Sequence, residues 1–204
     1  MNRTLWIGAS GMETQQVQSD TIANNIANVS TCGYKRSIAQ FQDMLYQTQT
    51  RPGSETSISD LPTGIQIGTG VRTASVSKYF GQGSLQQSSA DLDLALQGEG
   101  FFQIQMPDGT TQYTRNGSFH VNQNGIVVNI EGYPVTGFPN LGTSFDSITI
   151  ANDGTVNVYA SGANTNVGRI QIARFTNPEG LYAEGYNRFS QTEASGTPTV
   201  GYPT

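Results

Sequence analysis

Between Leu5 and Val29, the positions Leu5, Gly8, Met12, Gln15, Ser19, Ile22, Ile26 and Val29 recur at alternating three- and four-residue steps. That is heptad spacing, which keeps one seam of a helix facing a partner. It predicts a single long helix, roughly 38 Å from end to end if about 25 residues each rise 1.5 Å. The seam is apolar at both ends and polar at Gln15 and Ser19, with Ala9, Ala23 and Ala27 beside it, small enough for another helix to come close. Two surroundings satisfy the pattern, a partner helix or this chain's own sheet. The heptad fits a partner helix better, yet no second long helical pattern follows downstream.

The end of this segment is unusual. Asn24, Asn25 and Asn28 occupy its last turns, although asparagine competes with the helix for backbone groups and is a poor helix former. Gly33 is placed to stop the helix, and Lys35 and Arg36 after it suit a helix C-terminal dipole. Residues 37–46 read either as a short helix or as an extended arm. The stretch Gln47 to Gly64 is rich in Ser, Thr, Gly and Pro and has neither period, so it reads as a long loop or arm.

From Ile65 the pattern changes to alternation and short apolar runs. "DLDLALQGEGFFQIQM" opens with alternating leucines. Asp108-Gly109, Asn116-Gly117, Asn124-Gly125 and Asp153-Gly154 supply the positive φ angles of tight hairpins. Between them stand the strand candidates "QYTR", "SFHVN", "IVVNI", "SITI", "TVNVY" and "RIQIARF". The tail from Ser190 is polar and rich in Gly and Pro, an expected exposed, extended end. The fold class is therefore α+β, mainly β: a long N-terminal helix followed by an antiparallel, sandwich- or barrel-like domain. The expected division is 1–46 for the helix and turn, 47–70 for the arm, and 71–204 for the β-rich domain.

Composition sharpens this. Only 12% of the 204 residues are charged while 24 are glycine, so the polar surface is carried by amides and hydroxyls. Such a surface lacks the charges that keep proteins apart, which favours packing against neighbours. A net charge of −5 argues against a nucleic-acid partner. No run reaches the roughly 20 apolar residues of a spanning helix. The N-terminus has no apolar core followed by a cleavage site, so export, if any, is expected without a cleaved signal.

Candidate chemistry is sparse. The single histidine, His120, lies in a strand pattern with no Gly-x-Ser-x-Gly elbow to give it a nucleophile. Asp91 and Asp93 are two apart and share a strand face; a carboxylate pair is what glycan cleavage needs, but a turn-and-strand role accounts for both. Neither the glycines at 64, 68 and 70 nor those at 98 and 100 form a nucleotide fingerprint. One cysteine, Cys32, excludes an internal disulfide and a cysteine-based zinc cluster. No enzyme, cofactor or metal is expected.

At this point several blocks resemble one family. "ASGMETQQVQSDTIANNIANVSTCGYKRSIAQF" resembles the signature of the bacterial flagellar rod and hook proteins. There a helix ends in Asn-Asn-x-Ala-Asn, here Asn24, Asn25, Ala27 and Asn28. A Thr-x-Gly-Phe/Tyr-Lys turn follows, here Thr31, Gly33, Tyr34 and Lys35. "LDLALQGEGFFQI", "YTRNGSFHVNQNGIVVNIEGYPVTG" and "ARFTNPEGLYAEGYNRFSQTEASGTP" resemble later blocks of the same family, in order. "MLYQTQTRPGSETSISDLPTGIQIGTGVR" is similar to the extra stretch of the distal-rod branch, which hook proteins lack.

The resemblance implies a structural subunit of the distal rod that polymerises helically and carries torque from motor to hook. The implied partners are further copies of the chain, neighbouring rod and hook proteins, the flagellar export apparatus and the surrounding basal-body rings. The implied place is the periplasm-spanning basal body. Seam and signature together give the candidate subunit-interface residues Leu5, Met12, Ile22, Asn24, Asn25, Ile26, Asn28, Val29, Thr31, Gly33, Tyr34 and Lys35. Family members usually carry a second long helix that pairs with the first. These 204 residues hold no such pattern, and Cys32 stands where the family has a polar or small residue. The alternatives are a hook or proximal rod protein, or a β-sandwich that binds or cleaves peptidoglycan through Asp91 and Asp93.

Overall fold

The computed structural model describes residues 3–50, 55–56, 59–60, 63–160 and 162–203. They fall into two compact units. The first takes the chain up to Val29 and from Arg36 to Tyr79, and the second takes Ser30–Lys35 and everything from Phe80 onward.

In the first unit, helix α1 spans Arg3–Ala27. It is followed by strands β1 (Ser37–Asp43), β2 (Gln47–Thr50), β3 (Glu55–Thr56), β4 (Ser59–Asp60), β5 (Ile65–Ile67) and β6 (Val71–Lys78). These are nested antiparallel pairs: Ser37 opposes Lys78, Gln47 opposes Ile67, and Thr56 opposes Ser59. A one-residue irregularity falls between Gln40 and Phe41. The expectation of an unpatterned loop over 47–64 is thus corrected in its described part, where paired strands stand. Residues 51–54, 57–58 and 61–62 of that stretch lie outside the described residues. β2 and β5 escape a period-2 reading because most of their residues are exposed, so no buried side imposes alternation. Residues 71–78, expected with the β-rich domain, instead pair with β1.

Helix α1 packs on β1 and β6. Its inward face is Ile7, Ser10, Gly11, Thr14, Val17, Thr21, Asn25 and Asn28. Thr14 is only 5% exposed, and its hydroxyl donates to the carbonyls of Ser10 and Gly11 at 3.1 and 2.8 Å. Thr21 donates likewise to Val17 at 2.7 Å. Such back-bonding satisfies buried hydroxyls without a partner element. The hairpin approaches the helix closely at Gly70, where a Cβ would stand 2.6 Å from the Ser10 hydroxyl.

The second unit contains β7 (Phe102–Gln105), β8 (Thr111–Thr114), β9 (His120–Val121), β10 (Val127–Val128), β11 (Val135–Thr136), β12 (Ser147–Ile150), β13 (Thr155–Ala160), β14 (Ala163–Arg169), β15 (Ile172–Arg174), β16 (Tyr182–Gly185), β17 (Arg188–Ser190) and β18 (Thr199–Gly201). The largest sheet is antiparallel with order β11-β7-β8-β17-β16; β12-β13-β14 form a second, and β9 pairs with β10 and β15 with β18. The fold class is as expected: one long helix, then many short antiparallel strands.

Two apolar clusters lie in this unit, and consecutive phenylalanines divide between them. Phe102 joins Phe119, Val127, Val156 and Ile170, while Phe101 joins Tyr113, Phe175 and Phe189. Successive side chains in extended backbone leave on opposite faces, so "GFF" supplies a large ring to each cluster. The alternation of "LDLAL" holds as well: Leu92, Leu94 and Leu96 pack against the first cluster while Asp91, Asp93 and Ala95 are exposed.

Three sequence expectations change here. Asn116-Gly117 is no hairpin turn, since neither residue has positive φ. A Cβ on Gly117 would lie 1.6 Å from the Leu94 carbonyl oxygen, because that backbone crosses directly over it. The helix ends at Ala27 and not near Gly33. The tail is no free end: β18 pairs with β15, and Ser195 is buried.

Candidate functional site

The apolar seam of α1 does not face its own hairpin. Leu5 is 73% exposed, Met12 71%, Ile26 66% and Val29 80%, with Ile22 also exposed. At 3.6 residues per turn the seam lies roughly 130° round the helix from the face that touches β1 and β6. The helix therefore buries its small and hydroxyl residues within its unit and presents its large apolar ones outward. An open groove of 560 Å³ runs between Gly8, Gly11, Met12 and Gln15 of the helix and Phe41 and Val71 of the hairpin.

The asparagines have different placements. Asn25 is half-buried and matches the Ser37 backbone: its Nδ2 donates to the Ser37 carbonyl and its Oδ1 accepts the Ser37 N–H, both at 2.8 Å. Asn28 is half-buried and its Nδ2 donates to the Asn24 carbonyl at 3.0 Å, while Asn24 is exposed at the rim. Below Asn24, a second open groove of 380 Å³ is lined by Val17, Asp20, Thr21, Ser37 and Val76.

The remaining candidates belong to the other unit. Gly33 has φ +73°, and a Cβ there would fall 2.8 Å from the Asn116 backbone nitrogen. Only glycine fits such a combination without strain. Tyr34 donates its backbone N–H to the Thr31 carbonyl at 3.2 Å. The Lys35 ammonium donates to the Gly81 carbonyl at 2.8 Å, so it is not the helix-dipole partner that its position in sequence suggested. Burial first, and the positive charge of Arg115 second, hold Lys35 below the usual lysine range. Arg36 is drawn elsewhere, its guanidinium lying 4.8 Å from the centre of the Tyr79 ring within the first unit. The twelve candidates thus form two groups, Leu5 to Val29 on the helix and the turn that directly follows it, and Thr31 to Lys35 in a turn held by the β unit.

Sequence reading missed three contributors. Ser10 and Gly70 set how near the hairpin lies to the helix, and their small size was the available signal. Asn187 adopts φ +58° and its Nδ2 donates to the Cys32 carbonyl at 3.0 Å. The run Gly185-Tyr186-Asn187 before a strand was its signal.

The residues weighed for catalysis are separately engaged. His120 is exposed at a strand end opposite Val128. Asp93 accepts a hydrogen bond from Ser88 and bridges Ser118. Among the described residues no cluster of His, Cys, Asp and Glu could hold a metal ion, and no helix is long and apolar enough to cross a membrane.

Two family models match separate stretches of the chain. Residues 5–35 match the family described as flagella basal body rod protein, and residues 95–158 the family described as flagellar hook protein FlgE/F/G D1 domain. The chain is 42% identical to the flagellar basal-body rod protein FlgG of Buchnera aphidicola subsp. Schizaphis graminum over 198 residues, 96% of this chain and 76% of the relative. It is 42% identical to FlgG of Borreliella burgdorferi over 210 residues, 100% of this chain and 78% of that one. The flagellar hook protein FlgE of Helicobacter mustelae is 43% identical over 147 residues, 68% of this chain but 31% of the hook protein. An outward apolar seam on a signature helix, a hook-type β domain and rod relatives aligned along nearly its whole length have one common reading: the chain belongs to the FlgG family of flagellar basal-body rod proteins.

Proposed function

We propose that the chain is a structural subunit of the bacterial flagellar basal-body rod, in its distal part, and that it polymerises helically into the shaft that carries torque to the hook. The observation that carries this is the outward seam: Leu5, Met12, Ile26 and Val29 remain exposed although the chain has its own sheet to pack on. Exposed large apolar side chains grouped at both ends of one helix seam mark an interaction surface. Heterologous contacts that do not close on themselves build a helical filament. The role is structural, with no reaction to catalyse, and rigidity comes from many modest contacts repeated in every subunit.

Amide and hydroxyl side chains suit such packing. They donate and accept hydrogen bonds without the desolvation cost of an unpaired charge, and 12% charged residues is low. In this reading the helix seam, with exposed Asn24 at its rim, faces neighbouring subunits, Thr31 to Lys35 lie at the subunit boundary, and the stretch Gln47 to Gly64 reaches an adjacent copy. Further copies, neighbouring rod and hook proteins and the basal-body rings are the partners. Delivery is by the flagellar export apparatus without a cleaved signal.

The test replaces Leu5 and Ile26 together with serine. These exposed positions should leave the urea midpoint of the monomer within about 0.5 kcal/mol of the original stability, while incorporation into rods, scored by electron microscopy of basal bodies, is lost. Normal rods from the doubly substituted chain would overturn the seam as the assembly surface.

A further inference from the structure

The net charge of −5 lies on the β unit, where Lys35, Arg115, Arg169, Arg174 and Arg188 are set against twice as many acidic residues. Copies of such a unit repel one another wherever their acidic surfaces approach. Contact between copies is therefore favoured along stretches that carry no charge.

One sheet edge of this unit has that character. β14 is the last strand of the sheet β12-β13-β14, so one side of its backbone has no strand beside it. At seven residues it is the longest strand at a sheet edge in the unit. Ala163, Asn164, Thr165 and Asn166 are all exposed, and no charged residue occurs from Gly154 to Gly168. Edges are ordinarily guarded by charge, proline, a bulge or brevity, because an open row of N–H and C=O groups pairs readily with another chain. β16 carries Glu184, β12 follows Asp146, and β11 has two residues. The first four residues of β14 have no such guard.

The same unit holds a matching segment. Residues 82–87, Gln-Gly-Ser-Leu-Gln-Gln, are exposed, uncharged and neither helix nor strand. Among the described residues, no backbone hydrogen bond joins them to another part of the chain. A Cβ on Gly83 would meet nothing, and Leu85 is 56% exposed. A segment with free donors and acceptors is what an open sheet edge takes up as an added strand.

We infer that residues 82–87 of one copy pair with Ala163–Asn166 of β14 in a neighbouring copy. The inference rests on the rod reading above and gives that assembly a contact on the β unit besides the helix seam. The partner is a second copy because both halves of the pairing occur on this chain, and both are neutral on an acidic unit. The halves are different surfaces, so the contact is heterologous and runs on from copy to copy instead of closing into a dimer. Ordering the segment costs conformational entropy, and that cost is met where other contacts already hold the copies together. The isolated chain therefore keeps 82–87 unpaired.

Cross-linking within assembled rods tests the pairing. Cys32→Ser removes the native thiol, and Thr165→Cys is then combined in turn with Gln82→Cys, Gly83→Cys, Ser84→Cys, Leu85→Cys, Gln86→Cys or Gln87→Cys. Opposed Cα atoms of paired strands stand about 4.5–5.5 Å apart, within reach of a disulfide. Mild oxidation of isolated basal bodies should give, for at least one pair, a ladder of covalent multimers on a non-reducing gel. Amide hydrogen exchange over 82–87, fast in the monomer of the unsubstituted protein, should slow at least about tenfold in its rods. Normal rods that yield no cross-link at any position, a link within one chain, or dimers alone overturn the pairing, as does exchange over 82–87 that is equally fast in rods and monomer. In each of those cases the rod reading stands. If the unsubstituted chain never enters rods, the rod reading falls and this contact falls with it.

Discussion

The side-chain amide of Asn25 pairs with the backbone of Ser37 as one strand pairs with another, donating to its carbonyl and accepting from its N–H, both at 2.8 Å. An asparagine near the end of α1 thereby begins the ladder that β1 continues with β6. The poor helix propensity of the residue is offset by a tertiary role that no charged or apolar side chain can fill. Only an amide offers one donor and one acceptor in that fork.

Asn25→Ala should therefore cost about 1–3 kcal/mol, two hydrogen bonds of about 0.5–1.5 kcal/mol each. Asn25→Asp keeps the acceptor but sets a carboxylate against the Ser37 carbonyl, so it should not restore stability. Urea unfolding followed by circular dichroism of the helix measures both, and an alanine variant as stable as the original would remove Asn25 from the account of the helix end.

Phe101 and Phe102 should be severe but separable. Each is almost fully buried, and a buried Phe→Ala change costs about 3–5 kcal/mol. Phe101→Ala should perturb the ring protons of Phe175 and Phe189, which lie 5.7 and 6.2 Å away between centroids. Phe102→Ala should perturb Phe119, at 4.9 Å. Aromatic NMR spectra that respond identically to the two changes would contradict the division of the core.

Gly117→Ala should fail to fold normally even though Gly117 has no positive φ. Its new methyl would lie 1.6 Å from the Leu94 carbonyl oxygen, and the Leu94 N–H bond to the Gly117 carbonyl at 2.9 Å depends on that approach. Overpacking against backbone cannot be relieved by turning a side chain. Expected is loss of Leu94 amide protection and a fall in thermal midpoint of several degrees.

Acid should act through Asp153. Hydrogen bonds from the Thr155 side chain and N–H, at 2.8 and 3.0 Å, hold its carboxyl below the ordinary value of 3.8, with Arg169 adding a smaller effect. A carboxyl depressed by folding contributes stability in full above its unfolded pKa, and that contribution is lost as pH falls through the lower folded value. Thr155→Val removes the hydroxyl bond and leaves the N–H bond, so the Asp153 titration midpoint should rise toward 3.8. Carbon-detected NMR titration reads it directly, and an unmoved midpoint would show that the threonine hydroxyl has no such influence.

By itself the sequence determined the helix, the β-rich remainder and most turns. These depend on short-range chemistry: a heptad repeat, alternating Leu92, Leu94 and Leu96, and Asp-Gly and Asn-Gly pairs at 108, 124 and 153. It also carried the family, because signature blocks survive along the whole chain. Tertiary structure decided which face of α1 turned inward. The close approach of Gly70 to Ser10 selects the small, hydroxyl-bearing face and leaves the larger apolar seam outside, a choice that periodicity cannot make when two faces share one period. Tertiary structure also moved Gly33 from helix stop to docking residue, put Gly117 beneath Leu94 instead of in a hairpin, and paired the far tail with β15. Each of these depends on a partner remote along the chain, and local pattern holds no record of such distances.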